Sequence, residues 1–275
     1  MQMHPLSNIL TNTQSDRLLG CLAYRRGQKD TLGMKRIAIA RSASWEARVS
    51  TGAMCARIFE RHNETIRIRN PNIGVAKLAR IIEATLRLGN RRGFHATSLR
   101  DLSKASGVSM GALYSYFDSK AALLSMILGE FLPTVTSILV DVSPEIRSDA
   151  RRHLAWLVDT HVRLSEAMLP WFVFAFMEAK AFPRTERHIA VETETQTEGI
   201  FADVIRRGVK DGVFAVSDVD LAATLIKPLL QDWYLKRGKY RNRGTSIETY
   251  VAAVIEMLTT GLGIQERAKR RVSAS

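Results

Sequence analysis

From Ser109 to Tyr116 the chain reads Ser-Met-Gly-Ala-Leu-Tyr-Ser-Tyr. At helical spacing Leu113 and the following Phe117 face one way, which leaves Met110, Gly111, Ala112, Ser115 and Tyr116 on or near the other side. Small residues at the start of a helix let backbone amides and short side chains come close to phosphates and base edges. The chemistry this stretch offers is therefore hydrogen bonding to a surface, with no bond made or broken. No other part of the chain supplies a reaction: it contains no glycine-rich phosphate loop, nucleophile elbow, HExxH or CxxC, and His153 and His161 have no third partner by spacing. No catalytic residue, metal ligand or cofactor is expected.

Two short helices must hold that face. Ser98 is placed to cap the first, with Asp101 three residues on where a carboxylate reaches back to free amides. Leu102 points inward, and Ser103 and Ala105 are small enough for close approach of a second helix. Gly107 ends the first helix in the left-handed conformation, Val108 plugs the elbow, and Ser109 caps the second helix. This is a helix-turn-helix. Ahead of it, Val75, Leu78, Ile82 and Leu86 recur at helical spacing and predict a bracing helix from about residue 73 to 90, capped by Asn72 and stopped at Gly93.

The order Gly107-Val108-Ser109, Gly111, Leu113-Tyr114, Tyr116-Phe117, Ser119-Lys120 resembles the DNA-binding domain of TetR-type transcriptional regulators, in detail over residues 73–130 and as a helical layout to about Gly263. The resemblance implies DNA contacts from Thr97, Ser98, Arg100, Ser109, Met110, Gly111, Ala112, Tyr114, Ser115, Tyr116 and Lys120. Thr97 and Ser98 stand where family members touch phosphate, and Tyr114, Tyr116 and Lys120 match groups that reach the DNA backbone. Two positions depart from the pattern: Met110 replaces a commonly polar or basic residue, and Ser115 a larger ring. Neither is a bidentate base reader, so the operator sequence is not deducible.

The remaining periodicity is also helical, so the expected fold is all-α: the three-helix DNA-binding domain at 73–130, then a helical ligand-binding and dimerisation domain at 131–264. Pro133 is expected to kink or end the helix that starts near Asp118. Ser143-Pro144 opens a long helix to Met168, and Leu169 to Ala181 is apolar on nearly every side. Helices follow at about 184–210, 218–235 and 246–262. By resemblance the last two build a homodimer, whose partner is a palindromic double-stranded DNA operator and whose effector is an unidentified small molecule. Aromatic walls from Trp156, Trp171, Phe174 and Trp233, with His161 and Glu178 beside them, mark the candidate ligand pocket. The basic residues of the linker 236–243 are read as solvated.

Net charge is +13 on 275 residues. The excess sits at the front: residues 1–71 hold 12 Lys or Arg against 5 acids. That end is expected to meet a polyanion. Residues 1–72 read as a mostly disordered extension, either a solvated tail or a basic arm adding DNA contacts, with Met54 to Phe59 among its best helical candidates; residues 265–275 read as a basic tail. The longest strongly apolar run, Met168 to Met177, is too short to cross a bilayer, so no membrane partner is expected and the cytoplasm is the predicted compartment. The favoured function is a ligand-responsive repressor, and the alternative is an architectural or division-associated DNA-binding protein of the same fold.

Overall fold

A computed structural model describes residues 45–263, except 180, 181 and 183; the proposed 265–275 tail and most of the proposed N-terminal extension lie outside the described residues. Every regular element among the described residues is helical. After a 3-10 turn at Trp45–Val49 come α1 (Thr51–Arg61), α2 (Pro71–Arg92), α3 (Leu99–Ser106), α4 (Met110–Leu113) and α5 (Lys120–Val140). Then follow α6 (Pro144–Arg147), α7 (Ala150–Ala167), α8 (Leu169–Glu178), α9 (Arg184–Lys210), α10 (Val219–Leu235), α11 (Arg237–Asn242) and α12 (Ile247–Gly261).

Residues 45–72, expected to be mostly disordered, carry a 3-10 turn and a capped helix. Ser50 caps α1 by accepting from the Ala53 amide, and Met54, Cys55, Ile58 and Phe59 are buried. Spaced i, i+1, i+4 and i+5, these four form one apolar stripe, which packs on α2 and α5. The Phe59 ring occupies the space a side chain at Gly74 would need. A charged contact closes the same joint: Glu130 of α5, 1% exposed, receives Arg57 Nε at 2.5 Å and Arg61 Nη1 at 2.9 Å. Burial, and then Glu83 and Glu130, push the Cys55 thiol up to about 12, so it stays protonated and inert.

Pro133 neither ends α5 nor leaves its backbone short of a partner. Proline lacks the amide that would bond the Gly129 carbonyl; Arg61 Nη1 donates to that carbonyl instead, at 2.8 Å. The helix therefore runs on to Val140, and Ser119, one residue after the expected Asp118, caps its start. At 21 residues α5 is long and apolar enough to cross a membrane, a stretch the sequence reading passed over. Within the protein it is a core helix, with Leu123, Leu124, Ile127, Leu128, Phe131 and Leu139 among its buried residues.

Other boundaries shift for local reasons. Asn70, not Asn72, caps α2, because Pro71 suits the first helical turn. The long helix expected from Ser143 breaks after one turn: Asp149 adopts an extended backbone and caps α7 anew through the Arg151 and Arg152 amides. α8 is enclosed on one side only, since Phe176 and Met177 are exposed. The helices at 184–210, 219–235 and 247–261 follow expectation, the last two capped by Asp218 and Ser246. In the larger helical region α9 packs on α5, α7 and α10, and α7 packs on α10 and α12.

A candidate nucleic-acid interface

The turn forms as its residues require. Ser98 and Asp101 make a complete capping box: the Asp101 amide donates to Ser98 Oγ at 3.1 Å and the Ser98 amide to Asp101 Oδ2 at 3.0 Å. The Ser98 hydroxyl, donating to Asp101 Oδ2 at 2.7 Å, then the Ser98 amide on the same oxygen and Arg92 at 2.6 Å, hold the Asp101 carboxyl below its usual range. Gly107 has φ 64° and ψ 27°, the left-handed region, and the chain reverses there. Ser103 and Ser106 hold the elbow: Ser103 Oγ donates to the Val108 carbonyl at 2.7 Å, and the Val108 amide donates to Ser106 Oγ at 3.3 Å. Ser109 then caps α4 through the Ala112 amide.

α4 spans one turn only, and the chain continues through helix-like turns, with Tyr116 donating to the Leu113 carbonyl at 2.9 Å. Leu113 and Phe117 are buried, as their spacing predicts. Ser109, Gly111 and Tyr114 are exposed and Met110, Ala112 and Ser115 half-buried, so the small-residue face is open to a partner. Tyr114 is 47% exposed, a large value for an aromatic side chain.

Three of the residues assigned to DNA contact hold different posts. Thr97 is fully buried, and its hydroxyl donates to the Gly93 carbonyl at 3.0 Å, so the side chain is not placed to reach a phosphate. Tyr116 is 1% exposed and its hydroxyl donates to the Gly74 carbonyl at 3.1 Å, pinning α2. Lys120 Nζ donates to the Phe94 and His95 carbonyls at 2.8 and 3.0 Å and lies 4.8 Å from the centre of the Phe94 ring. Burial pushes its pKa down, with Glu178 acting the other way. Ser98 and Arg100 stay exposed at the start of α3.

The six residues proposed for a ligand pocket do not converge on one place. Trp171 stacks on Phe131, and His161 meets the edge of Phe172, whose ring also contacts Tyr234. His161 is 2% exposed and its Nδ1 lacks a hydrogen-bond partner; burial, and then Lys227, hold its pKa well below the usual histidine value. Trp156 lies beside His153 instead. Trp233 donates to Glu166 at 3.0 Å beneath Arg237, whose guanidinium grips the same carboxylate at 2.7 and 2.8 Å. Arg237 is thus a structural clamp rather than a solvated linker charge. Lys236 and Lys239 likewise pair with Asp232.

Phe174 and Glu178 form a joint that sequence reasoning missed. The Phe174 ring sits over Gly89 of α2 and meets Phe94 edge-on, centroids 5.6 Å apart. Glu178 Oε2 accepts the Phe94 amide at 2.9 Å, and Asn90 Nδ2 donates to the Pro170 carbonyl at 2.8 Å. These contacts fasten α8 to the helix that braces the turn. The available signal was Gly89 in a helix interior, where glycine costs stability unless something must come close.

Two family models match this arrangement: one described as bacterial regulatory proteins, tetR family, over residues 81–127, the other as a tetracyclin repressor-like C-terminal domain over residues 147–262. The chain belongs to the TetR family of transcriptional regulators. This TetR-family chain is 27% identical to the transcriptional repressor KstR2 of Rhodococcus jostii over 66% of its own length and 89% of the relative. It is 21% identical to the transcriptional regulator HbdR of an Aromatoleum species over 74% and 89% of the two chains. Among solved structures, the TetR-family regulator PfmR from Thermus thermophilus superposes with a TM-score of 0.55 at 26% identity, covering 69% of this chain and 97% of that one. KstR2 of Mycobacterium tuberculosis superposes with a TM-score of 0.58 at 20% identity, covering 74% and 100%. As in the rest of its family, the exposed turn at α3 and α4 belongs to a DNA-binding regulator.

Proposed function

We propose that this regulator is a ligand-responsive, sequence-specific repressor that acts in the cytoplasm as a homodimer on a palindromic operator. The observation that carries the reading is the open face of α4, held on a left-handed glycine elbow with Tyr114 outermost. In the proposed complex, Ser109, Met110, Gly111, Ala112 and Ser115 approach the major groove while Ser98, Arg100 and Tyr114 take phosphate oxygens. Leu221 and Leu225 on α10 and Met257 on α12 are apolar and more than half exposed, which supports these two helices as the face between subunits.

The proposed effector site lies where α7, α8, α9 and α10 meet, around His161, Phe172 and Tyr234. Burial pushes the Lys227 amine below its ordinary pKa there, against the pull of Glu194 and Glu198. A ligand acts by favouring the subunit arrangement that does not fit DNA, and its leverage is limited to the difference between its affinities for the two arrangements. The joint of Phe174, Glu178 and Phe94 is the proposed path by which α8 moves the DNA-binding helices.

The test is selection of genomic fragments bound by the purified protein, followed by footprinting and titration with small molecules. Stearoyl-CoA heads the panel as the ligand in the structure of Bacillus subtilis FadR, a protein of the same fold. A dimer protecting two half-sites about 10 base pairs apart, released by one ligand class, is the expected result. Uniform binding to all fragments, unresponsive to every ligand, would support an architectural protein instead.

A further inference from the structure

The segment joining α1 to α2, residues 62–70, is held against the DNA-reading turn. Ile66 is 5% exposed and anchors the segment in the core. The next amide, that of Arg67, donates to the carbonyl of Ser115, in the turn that follows α4, at 2.8 Å. Asn70 then caps α2 by accepting the Ile73 amide. Between these fixed points Ile66 is buried and Ile68 half-buried, while Arg67 and Arg69 are exposed. Arg67 has one weak partner, Asp118, at 3.9 Å, and the two side chains are 75% and 86% exposed. A pair that open to water contributes little and is readily exchanged for a stronger anion. The segment cannot drift away, because α1 before it is tied to α5 through Glu130.

We propose that Arg67 and Arg69 form a second DNA-contacting element, gripping phosphates of duplex DNA alongside the groove entered by α4. Guanidinium groups recognise phosphate through charge-assisted, fork-shaped hydrogen bonds. Arg67 also offsets the negative charge of Asp118, which would otherwise face the DNA at the end of the turn. The backbone bond to Ser115 sets both arginines in register with α4, so little ordering is required on binding. These are backbone contacts and add affinity equally to all sequences.

This inference rests on the DNA-binding reading, and the experiment separates the two. Affinity of the full chain and of the double variant R67A/R69A is measured against salt concentration, on the selected operator and on a scrambled duplex. Loss of two phosphate contacts lowers the slope of log affinity against log salt by about 1.8 and weakens both duplexes alike. R67K/R69K retains most of the slope, because charge is kept. The melting temperature stays unchanged, because both side chains are exposed. If the wild type binds duplex DNA and R67A/R69A binds with the same affinity and slope, the second element does not exist, while the reading of α4 stands. A loss confined to the operator would overturn the phosphate assignment. If the wild type binds no duplex, the DNA-binding reading fails and this proposal falls with it.

Discussion

Glu178 can be tested for a structural post where sequence alone suggested a ligand contact. Its carboxylate is 8% exposed and accepts the amide of Phe94, itself 7% exposed, at 2.9 Å. Replacing it with alanine leaves that buried amide with no acceptor, at a cost of about 1–3 kcal/mol. For a chain of this size each kcal/mol lowers the melting temperature by roughly 2–4 °C, so E178A should melt about 4–8 °C below wild type if the cost is near the middle of that range. E178Q keeps an oxygen in the same place and removes only the charge, so it should lose less than about 1 kcal/mol. Thermal unfolding by circular dichroism gives both shifts, and hydrogen exchange reports directly on the Phe94 amide, which should lose its protection in E178A alone. Equal losses in the two variants would show that the charge facing Lys120 matters rather than the acceptor. A Phe94 amide equally protected in E178A would refute the hydrogen-bond argument altogether.

The two tyrosines of the turn should separate cleanly. Y116F deletes the bond to Gly74, lowering stability by about 1 kcal/mol with operator affinity kept, whereas Y114F should weaken DNA binding several-fold with no change in melting; the reverse pattern would invert their roles. G107A forces a side chain into the left-handed region at about 1 kcal/mol and misaligns α4, so a melting temperature and an operator affinity both equal to wild type would contradict the elbow. His153 is held neutral, its pKa lowered to about 4 by burial and then by Arg207 and Arg147, with Arg207 donating to its Nδ1 at 2.6 Å. An unfolded histidine takes up a proton near pH 6.5. The stability from the neutral ring is therefore full above about pH 6.5 and is lost as pH falls towards 4. H153Q should consequently show a shallower fall in melting temperature between pH 7 and 5, and parallel curves would refute the assignment.

The parts of the fold that could be read in advance were those set by neighbours in sequence. Ser98 with Asp101, Ser109, Asp218 and Ser246 all cap amides within three residues, and Gly107 turns the chain by its own backbone, so the helix-turn-helix and the late helices stood out. Failures came where a distant group decided the outcome. Pro133 looked like a stop because its missing bond is local, whereas the replacement donor, Arg61, lies 68 residues before Gly129, whose carbonyl it serves. Thr97, Tyr116 and Lys120 carry polar groups suited to phosphate, but carbonyls of Gly93, Gly74, Phe94 and His95 take them up, and no spacing rule reveals a tertiary acceptor. The aromatic residues were recognised as interior. Their separation into an interdomain joint, a ring cluster at His161 and a clamp at Arg237 depends on packing between helices.

Glu130 has one further consequence. Two guanidinium groups share this carboxylate, so α1 is tied to α5 by a charged joint as well as by its apolar stripe, and the two separate only if both contacts are given up together. The first helix is thereby moored to α5, and the chain that leaves it reaches the Ser115 carbonyl of the reading turn within six residues, so a tilt of α5 would be expected to be felt there.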